Sequence, residues 1–382
     1  MYFLLIVPVI VLIYTGKGIT VGDFFLIQGI YRIAGFLFEV PSGYMSDVFS
    51  RKKVMLLGAV VMCLSFLWIW FATGFWGILA GECGLGLAAA LFSGTKEAYA
   101  FDLLKRMGRE KQFLKENGSI NTWAQAGSFI AAAIGAWLYT IIGDWIMGVE
   151  ALVAALGVLC VLWLPELTEV RRKVAPEASP WRDVMGIVKM SVAHPEIKWF
   201  MLFPAIFGGF TIILIWMVQP AMAAAGIAVG LFGLFIGLNQ FSRLVFSKSA
   251  HKILKFLGNT RLMWCLAGGL ILGIGAAFAG LLGAGNMWLI YPMFAIFAVI
   301  PASQSMSGLV FNNYIHHRIK STERGTVLSV SAMYKNFISG AMLMAVKPLM
   351  DGVGIYWTLA IVLIFVAILI WPILKISKIK GM

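Results

Sequence analysis

The chain has 382 residues, 61% of them hydrophobic and only 12% charged, with a formal net charge of +13. This apolar excess lies far above the roughly half-apolar usage of soluble domains, so it excludes a soluble globular protein and marks a membrane protein. The basic residues fall in short segments between apolar runs, so the charge reads as membrane topology and not as a nucleic-acid face.

The start, MYFLLIVPVIVLIY, lacks a basic region and a small-residue cleavage site, and no cleavable signal peptide is expected. Helix 1 is expected over residues 2–14. At 1.5 Å per residue it covers about 20 Å of a roughly 30 Å hydrocarbon core, as a late or trimmed start would leave it. Further helices are expected at 23–45, 54–72, 76–102, 119–139 and 146–164, the last closing at Leu164-Pro165-Glu166. A polar, basic stretch over 166–198 carries Pro176, Pro180 and Pro195 and reads as a linker. Within it, Trp181 to Val192 reads as a short interfacial amphipathic helix. Six more helices are expected at 199–219, 228–247, 262–282, 287–311, 326–346 and 353–374. The expected organisation is an all-α membrane protein of 12 transmembrane helices in two six-helix bundles, 1–165 and 199–382, joined by a cytoplasmic linker.

An internal repeat supports the two halves. At an offset of 208, Gly18, Ile19, Val21, Gly22, Phe24, Leu26, Gly29 and Phe38 fall on Gly226, Ile227, Val229, Gly230, Phe232, Leu234, Gly237 and Phe246. Orientation follows from lysine and arginine. Loops after even-numbered helices, with the C-terminal tail, hold 24 of the 30, and loops after odd helices hold only Lys17 and Lys347. Both termini and the linker are therefore expected in the cytoplasm.

Between the second and third helices runs EVPSGYMSDVFSRKK, residues 39–53, where the apolar pattern breaks at Pro41. Gly43-x-x-x-Asp47-x-x-x-Arg51-Lys52 resembles the loop signature at this position in the major facilitator superfamily of secondary transporters. Gly43 admits a close helix, Asp47 at a helix end can hold Arg51, and the basic pair marks the cytoplasmic side. Val48 stands where a basic residue is common, and Ser50 where glycine is common. The alternative is an ordinary basic loop. The resemblance implies alternating access between two rocking halves, with the substrate near the midplane. It also implies that Asp102, ending helix 4, joins Asp47 and Arg51 in a gate cluster. The second half lacks both acids, but Glu323-Arg324-Gly325-Thr326 looks like the family's usual approach to helix 11.

Charges inside predicted helices carry the functional reading, because each needs a water-filled cavity or a partner. Gln28, Arg32, Gly35, Glu39, Ser42 and Ser46 form one polar stripe on helix 2. The stripe reads as a substrate or proton path, or else as a structural ion pair locking helix 2 to a neighbour. Lys335, with Leu328, Ser331, Ser339 and Met342 on its face of helix 11, is expected to face Arg32 across a cationic cavity suited to an anionic or zwitterionic solute. The alternative is an acid from its own half. Glu82 and Glu150 read as proton acceptors on the outer side or as residues at the water boundary. Lys96 and Glu97 are adjacent and need not pair, and Arg243, one turn from the expected end of helix 8, is expected to snorkel.

Weaker cavity candidates are Asn121, Gln125 and Ser128; Trp216 and Gln219; Asn239 and Gln240; and Ser303, Gln304 and Ser307, all equally readable as helix glue. Gly29, Gly84, Gly86, Gly127 and Gly135 read as packing glycines. Cys63, Cys83, Cys160 and Cys265 have no metal-like spacing, the four histidines lie in loops, and no phosphate-binding Gly-Lys-Ser/Thr loop is present. No enzyme activity, cofactor or metal is expected.

The reading is a monomeric, multi-pass transporter of the bacterial inner membrane, moving a small solute by alternating access, with protons as the candidate coupling ion. Its site residues are Arg32, Lys335, Gln28, Gln125, Trp216, Gln240 and Gln304 for substrate, Glu39 and Glu82 for protons, and Gly43, Asp47, Arg51, Lys52 and Asp102 for gating. Competing classes are an exporter of drugs or lipids and a non-transporting receptor on the same fold. The family's drug antiporters carry a Gly-Pro pair in helix 5, and Ala126-Gly127-Ser128 matches it poorly.

Overall fold

The computed structural model describes residues 4–167, 195–283, 286–303, 306 and 321–377; at some helical positions only the backbone is described. Every regular element among them is helical. In order these are α1 (Ile10–Gly16), α2 (Val21–Val48), α3 (Arg51–Phe71), α4 (Gly74–Phe92), α5 (Thr95–Arg106), α6 (Phe113–Ile142), α7 (Ile146–Trp163), α8 (Pro195–Ala224), α9 (Phe232–Leu282), α10 (Met287–Val299) and α11 (Ser321–Ser377), with short 3-10 turns between some of them. α4 and α5 fill the place of one expected helix, and α9 and α11 the place of two each, folding back at Gly258 (φ +71°) and Gly354 (φ +74°). The helical stretches thus follow the expected order.

Eight spans among the described residues are long and apolar enough to cross a bilayer. Two of them, Lys115–Trp163 and Met333–Ile368, contain the reversals at Gly143 and Gly354. Leu64, Phe71, Trp76, Ile141, Leu152, Trp163 and Trp288 point outward, which suits a lipid surround and not water. The interior is filled by Tyr14, Phe24, Phe25, Phe207, Phe232, Phe294 and Phe297, all fully buried. The main helix pairs are α2 on α4 and α11, α6 on α9, α8 on α11, and α3 on α4 and α7.

Several boundaries differ from expectation, each for a local reason. Residues 4–9, around Pro8, form turns, and α1 begins only at Ile10. α2 passes through Pro41 as expected but runs on to Val48, past the expected end at residue 45, with the Ser42 hydroxyl donating to the Glu39 carbonyl at 3.0 Å beside the proline. Membrane helices tolerate proline where side chains satisfy nearby backbone groups. The fourth helix breaks at Ser93-Gly94, where Gly94 takes φ +69°. The basic loop expected after residue 247 is helical, because Ile253, Leu254 and Leu257 pack on the core while Lys248 and Lys252 stay exposed. α10 stops at Val299 and passes into a 3-10 turn over Ile300–Ser303. Most of the linker, including Trp181 to Val192, lies outside the described residues.

The repeat has a structural counterpart. Gly18 and Gly226 both take left-handed backbone angles, φ +89° and +78°, a conformation open to glycine at little cost. Gly29 backs onto Gly340 and Met344 of α11, and Gly237 backs onto Phe129 of α6. The same repeat position therefore brings two different helix pairs into close approach.

Candidate functional site

α2 carries the site as a series of stations. At its first turn Thr20 and Asp23 form a reciprocal cap: the Asp23 amide donates to the Thr20 hydroxyl at 2.9 Å, and the Thr20 amide donates to the Asp23 carboxylate at 3.2 Å. The second Asp23 oxygen accepts from the Lys347 ammonium at 2.6 Å, and Lys347 also donates to Asp351 at 2.7 Å. The Thr20 hydroxyl donates to Asp351 at 3.0 Å, and Gly22, having no side chain, lets that carboxylate lie against α2. These groups tie the start of α2 to α11. Below them Gly29 meets Gly340, and Phe36 meets Phe337 with ring centroids 5.7 Å apart. The two helices therefore run antiparallel in a fixed register, with Arg32 beside Gly340.

Two turns into α4 lies a buried polar cluster. Glu82 is 3% exposed, and one of its oxygens accepts from the Tyr14 hydroxyl at 2.7 Å and the Gln28 amide at 2.9 Å. Gln28, expected to bind substrate, is committed to this carboxylate. Glu150 is 1% exposed and accepts from the Leu5 amide at 2.8 Å. The water-boundary alternative for both acids is thus replaced by full burial. Gln219 accepts from the Val11 amide at 3.1 Å and donates to the Val7 carbonyl at 2.8 Å. Glu150 and Gln219 satisfy the backbone that the unwound 4–9 stretch leaves open.

Arg32 and Lys335 make no hydrogen bond or ion pair among the described residues, and Lys335 is exposed. The charges of Arg32 and Arg243 both act on the Lys335 ammonium, so three cations from α2, α9 and α11 share one region. Arg243 is the residue that sequence reasoning missed. It was placed near a helix end, yet α9 continues to the Gly258 turn. Arg32 and Glu39 do not pair: Glu39 accepts from the Ser93 hydroxyl at 2.8 Å, at the break between α4 and α5. Lys96 and Glu97 do touch, at 3.5 Å.

The remaining candidates scatter. Trp216 packs edge-on against Phe24 at 5.3 Å, and its indole N–H, like the Gln240 carbonyl, is buried without a hydrogen-bond partner among the described residues. Gln125 is half-buried on α6, Asn121 is exposed, and Asn239 donates to the Ala298 carbonyl at 2.6 Å, joining α9 to α10. Gln304 lies outside the described residues. At the signature end Arg51 donates to the Ala98 carbonyl at 2.9 Å and pairs with Asp102, while Lys52 donates to the Leu162 carbonyl at 2.9 Å. Ser50 caps α3 by accepting from the Lys53 amide at 3.3 Å, which gives this departure from the signature a structural use. Gly43 and Asp47 lie in the last turns of α2, with their surroundings outside the described residues. No group of three His, Cys, Asp or Glu residues is placed to hold a metal among the described residues.

The fold is similar to solved transporters over nearly its full length. The nucleoside transporter NupG superposes with a TM-score of 0.80 at 13% identity, covering 99% of this chain and 97% of that one. A bacterial homologue of the human lysosomal transporter Spinster gives a TM-score of 0.73 at 15% identity, covering 98% and 93%. The uncharacterized transporter BU466 of Buchnera aphidicola subsp. Acyrthosiphon pisum (strain APS) is 34% identical over 93 residues, and the match spans only 24% of this chain and 23% of that protein. The sequence profile described as Major Facilitator Superfamily matches residues 1–344. With a helical membrane fold, a signature pair at Arg51 and Asp102 and that match over most of its length, the chain belongs to the Major Facilitator Superfamily and is a membrane transporter.

Proposed function

We propose that the protein moves a small solute carrying an anionic group by alternating access, with proton coupling. The observation that carries this reading is the pair Arg32 and Lys335, two cations without an anionic partner among the described residues, in a region they share with Arg243. Holding uncompensated cations together inside a membrane protein is costly, and a bound anion relieves that cost. The Lys347 contact with Asp23 and Asp351 joins α2 to α11 at the far end from the signature. With both termini in the cytoplasm, as the lysine and arginine bias implies, that end faces the periplasm. Opening that end requires Lys347 to let go of Asp23. The Arg51–Asp102 pair takes the family's gate role at the cytoplasmic end.

The test is thermal unfolding of the purified protein against anionic, zwitterionic, cationic and lipid-like solutes. A ligand at about a hundred times its dissociation constant adds about 2.7 kcal/mol. Stabilisation by anions that disappears in Arg32→Ala and Lys335→Ala is the expected result. Stabilisation confined to lipophilic cations or lipids would refute the anion reading and move the protein to the export class.

A further inference from the structure

The cation region accounts for Arg32 and Lys335 but leaves the buried Glu82 cluster without a use. Glu82 differs from the other acids that make contacts among the described residues. Asp23, Asp351, Asp102, Glu97 and Glu116 each meet a lysine or arginine. Glu39 is only half-buried and accepts from a single hydroxyl, that of Ser93. Glu150 is as buried as Glu82, but it accepts from backbone amides of the 4–9 stretch, donors fixed in place by the chain. Both partners of Glu82 are neutral side chains that rotate, and both reach the same oxygen.

The neighbourhood is specific. α1 supplies Tyr14, whose ring is fully buried and packed on Phe24 at 6.0 Å. α2 supplies Gln28 and, one turn on, Tyr31 and Arg32. Tyr31 lies between two fields, since the charges of Arg32 and Glu82 both act on it. α3 approaches through Ser65, which faces Gly84 and donates to the Val61 carbonyl at 2.7 Å. On α4 itself the adjacent Cys83 is the other titratable group. Among the described residues no lysine or arginine acts on Glu82 directly.

We propose that Glu82 is the proton-binding site of the transport cycle and that Gln28 links it to the substrate-facing stripe of α2. The proposal rests on the transporter reading and selects Glu82 over Glu39 within it. Asp23, Gln28 and Arg32 follow one another along α2, so the carboxyl lies between the Lys347 contact and the cations, about 7 Å along the axis from each at 1.5 Å per residue. A proton from water adds to the carboxylate and later returns to water, and no other bond is made or broken. While Glu82 is ionised, its bonds from Tyr14 and Gln28 are charge-assisted and hold α1, α2 and α4 together. Protonation weakens both and frees the Gln28 amide for the face that bears Arg32. Proton binding and anion binding then bear on the same helix within about one turn.

The experiment is infrared difference spectroscopy between acidic and alkaline pH on the protein in lipid nanodiscs, which needs no substrate. The expected result is a protonated-carboxyl C=O band that disappears in E82Q, persists in E39Q and E150Q, and changes frequency in Y14F as one donor is lost. Y14F keeps the carboxyl, so it tests the assignment even where E82Q does not fold. A band unchanged in both E82Q and Y14F, or one lost in E39Q or E150Q instead, would overturn the proposal. Failure here leaves the anion-dependent stabilisation standing, and loss of that stabilisation leaves the infrared assignment intact.

Discussion

The Lys347 ammonium lies 2.6 Å from Asp23 and 2.7 Å from Asp351, so one lysine joins the first turn of α2 to the end of α11's first arm. The three side chains are 32%, 21% and 36% exposed, so salt screens the contact in part. Partly exposed ion pairs contribute about 0.2–1 kcal/mol each, and losing both shifts a two-state population by roughly two- to thirtyfold. Lys347→Ala is therefore expected to raise the population open at that end. Spin-label distances across the α1–α2 and α11 turns would show it, with added salt moving the wild type the same way. Unchanged distances in Lys347→Ala would mean that the Thr20–Asp351 bond and the Gly29 and Phe36 contacts hold the helices together without it.

Removing a cation from the shared region is expected to stabilise the ligand-free protein. Lys335→Met deletes a charge that meets Arg32 and Arg243 and has no anionic partner among the described residues. The gain is of order 1 kcal/mol, the scale of one like-charge contact at high dielectric. A thermal unfolding midpoint that rises without ligand and no longer responds to anions is the expected pair of results. A midpoint that falls would show that Lys335 supports the fold.

Gly29 and Gly35 offer a matched comparison on one helix. A methyl at Gly29 would sit 2.7 Å from the Gly340 carbonyl oxygen and 3.0 Å from the Met344 amide, whereas nothing lies within 4 Å of one at Gly35. Gly29→Ala is expected to destabilise by about 1–3 kcal/mol through overpacking. Gly35→Ala is expected to be neutral or to stabilise by up to about 1 kcal/mol. Chemical unfolding of the two variants in one detergent separates these outcomes.

The two buried glutamates are expected to respond differently to amide replacement. Glu150→Gln keeps an acceptor for the Leu5 amide, so stability and transport should change little. Glu150→Ala strands that donor and costs about 1–3 kcal/mol. Hydrogen exchange at residues 4–9 should then rise. A Glu150→Gln variant that folds normally but loses proton response would reverse the roles assigned to Glu82 and Glu150.

Most of the fold was legible because apolar runs and basic loops are set by the bilayer itself. The signature residues and the repeat glycines were legible for a similar reason, since glycine is required where backbones approach or turn. The misses came where tertiary contacts override local pattern. The second helix was expected to end at residue 45, but α2 runs on to Val48. Ser93-Gly94 looked like an ordinary stretch of helix 4, and only the Glu39 contact gives that break a place in the site. Lys248 and Lys252 looked like a loop, which hid that Arg243 lies deep in a longer helix. Glu82 and Gln28 lie 54 positions apart, and no spacing rule joins a carboxylate on one helix to an amide on another.

The antiparallel register of α2 and α11 has a mechanical consequence. Gly29 is six residues from Asp23 and seven from Phe36. At 1.5 Å per residue the glycine contact divides the seam into arms of about 9 and 10 Å. A fulcrum so nearly central acts as a balanced lever. A tilt about it that lifts Asp23 from Lys347 presses Phe36 more tightly onto Phe337 by almost the same distance, so a single small contact couples the two ends of the seam.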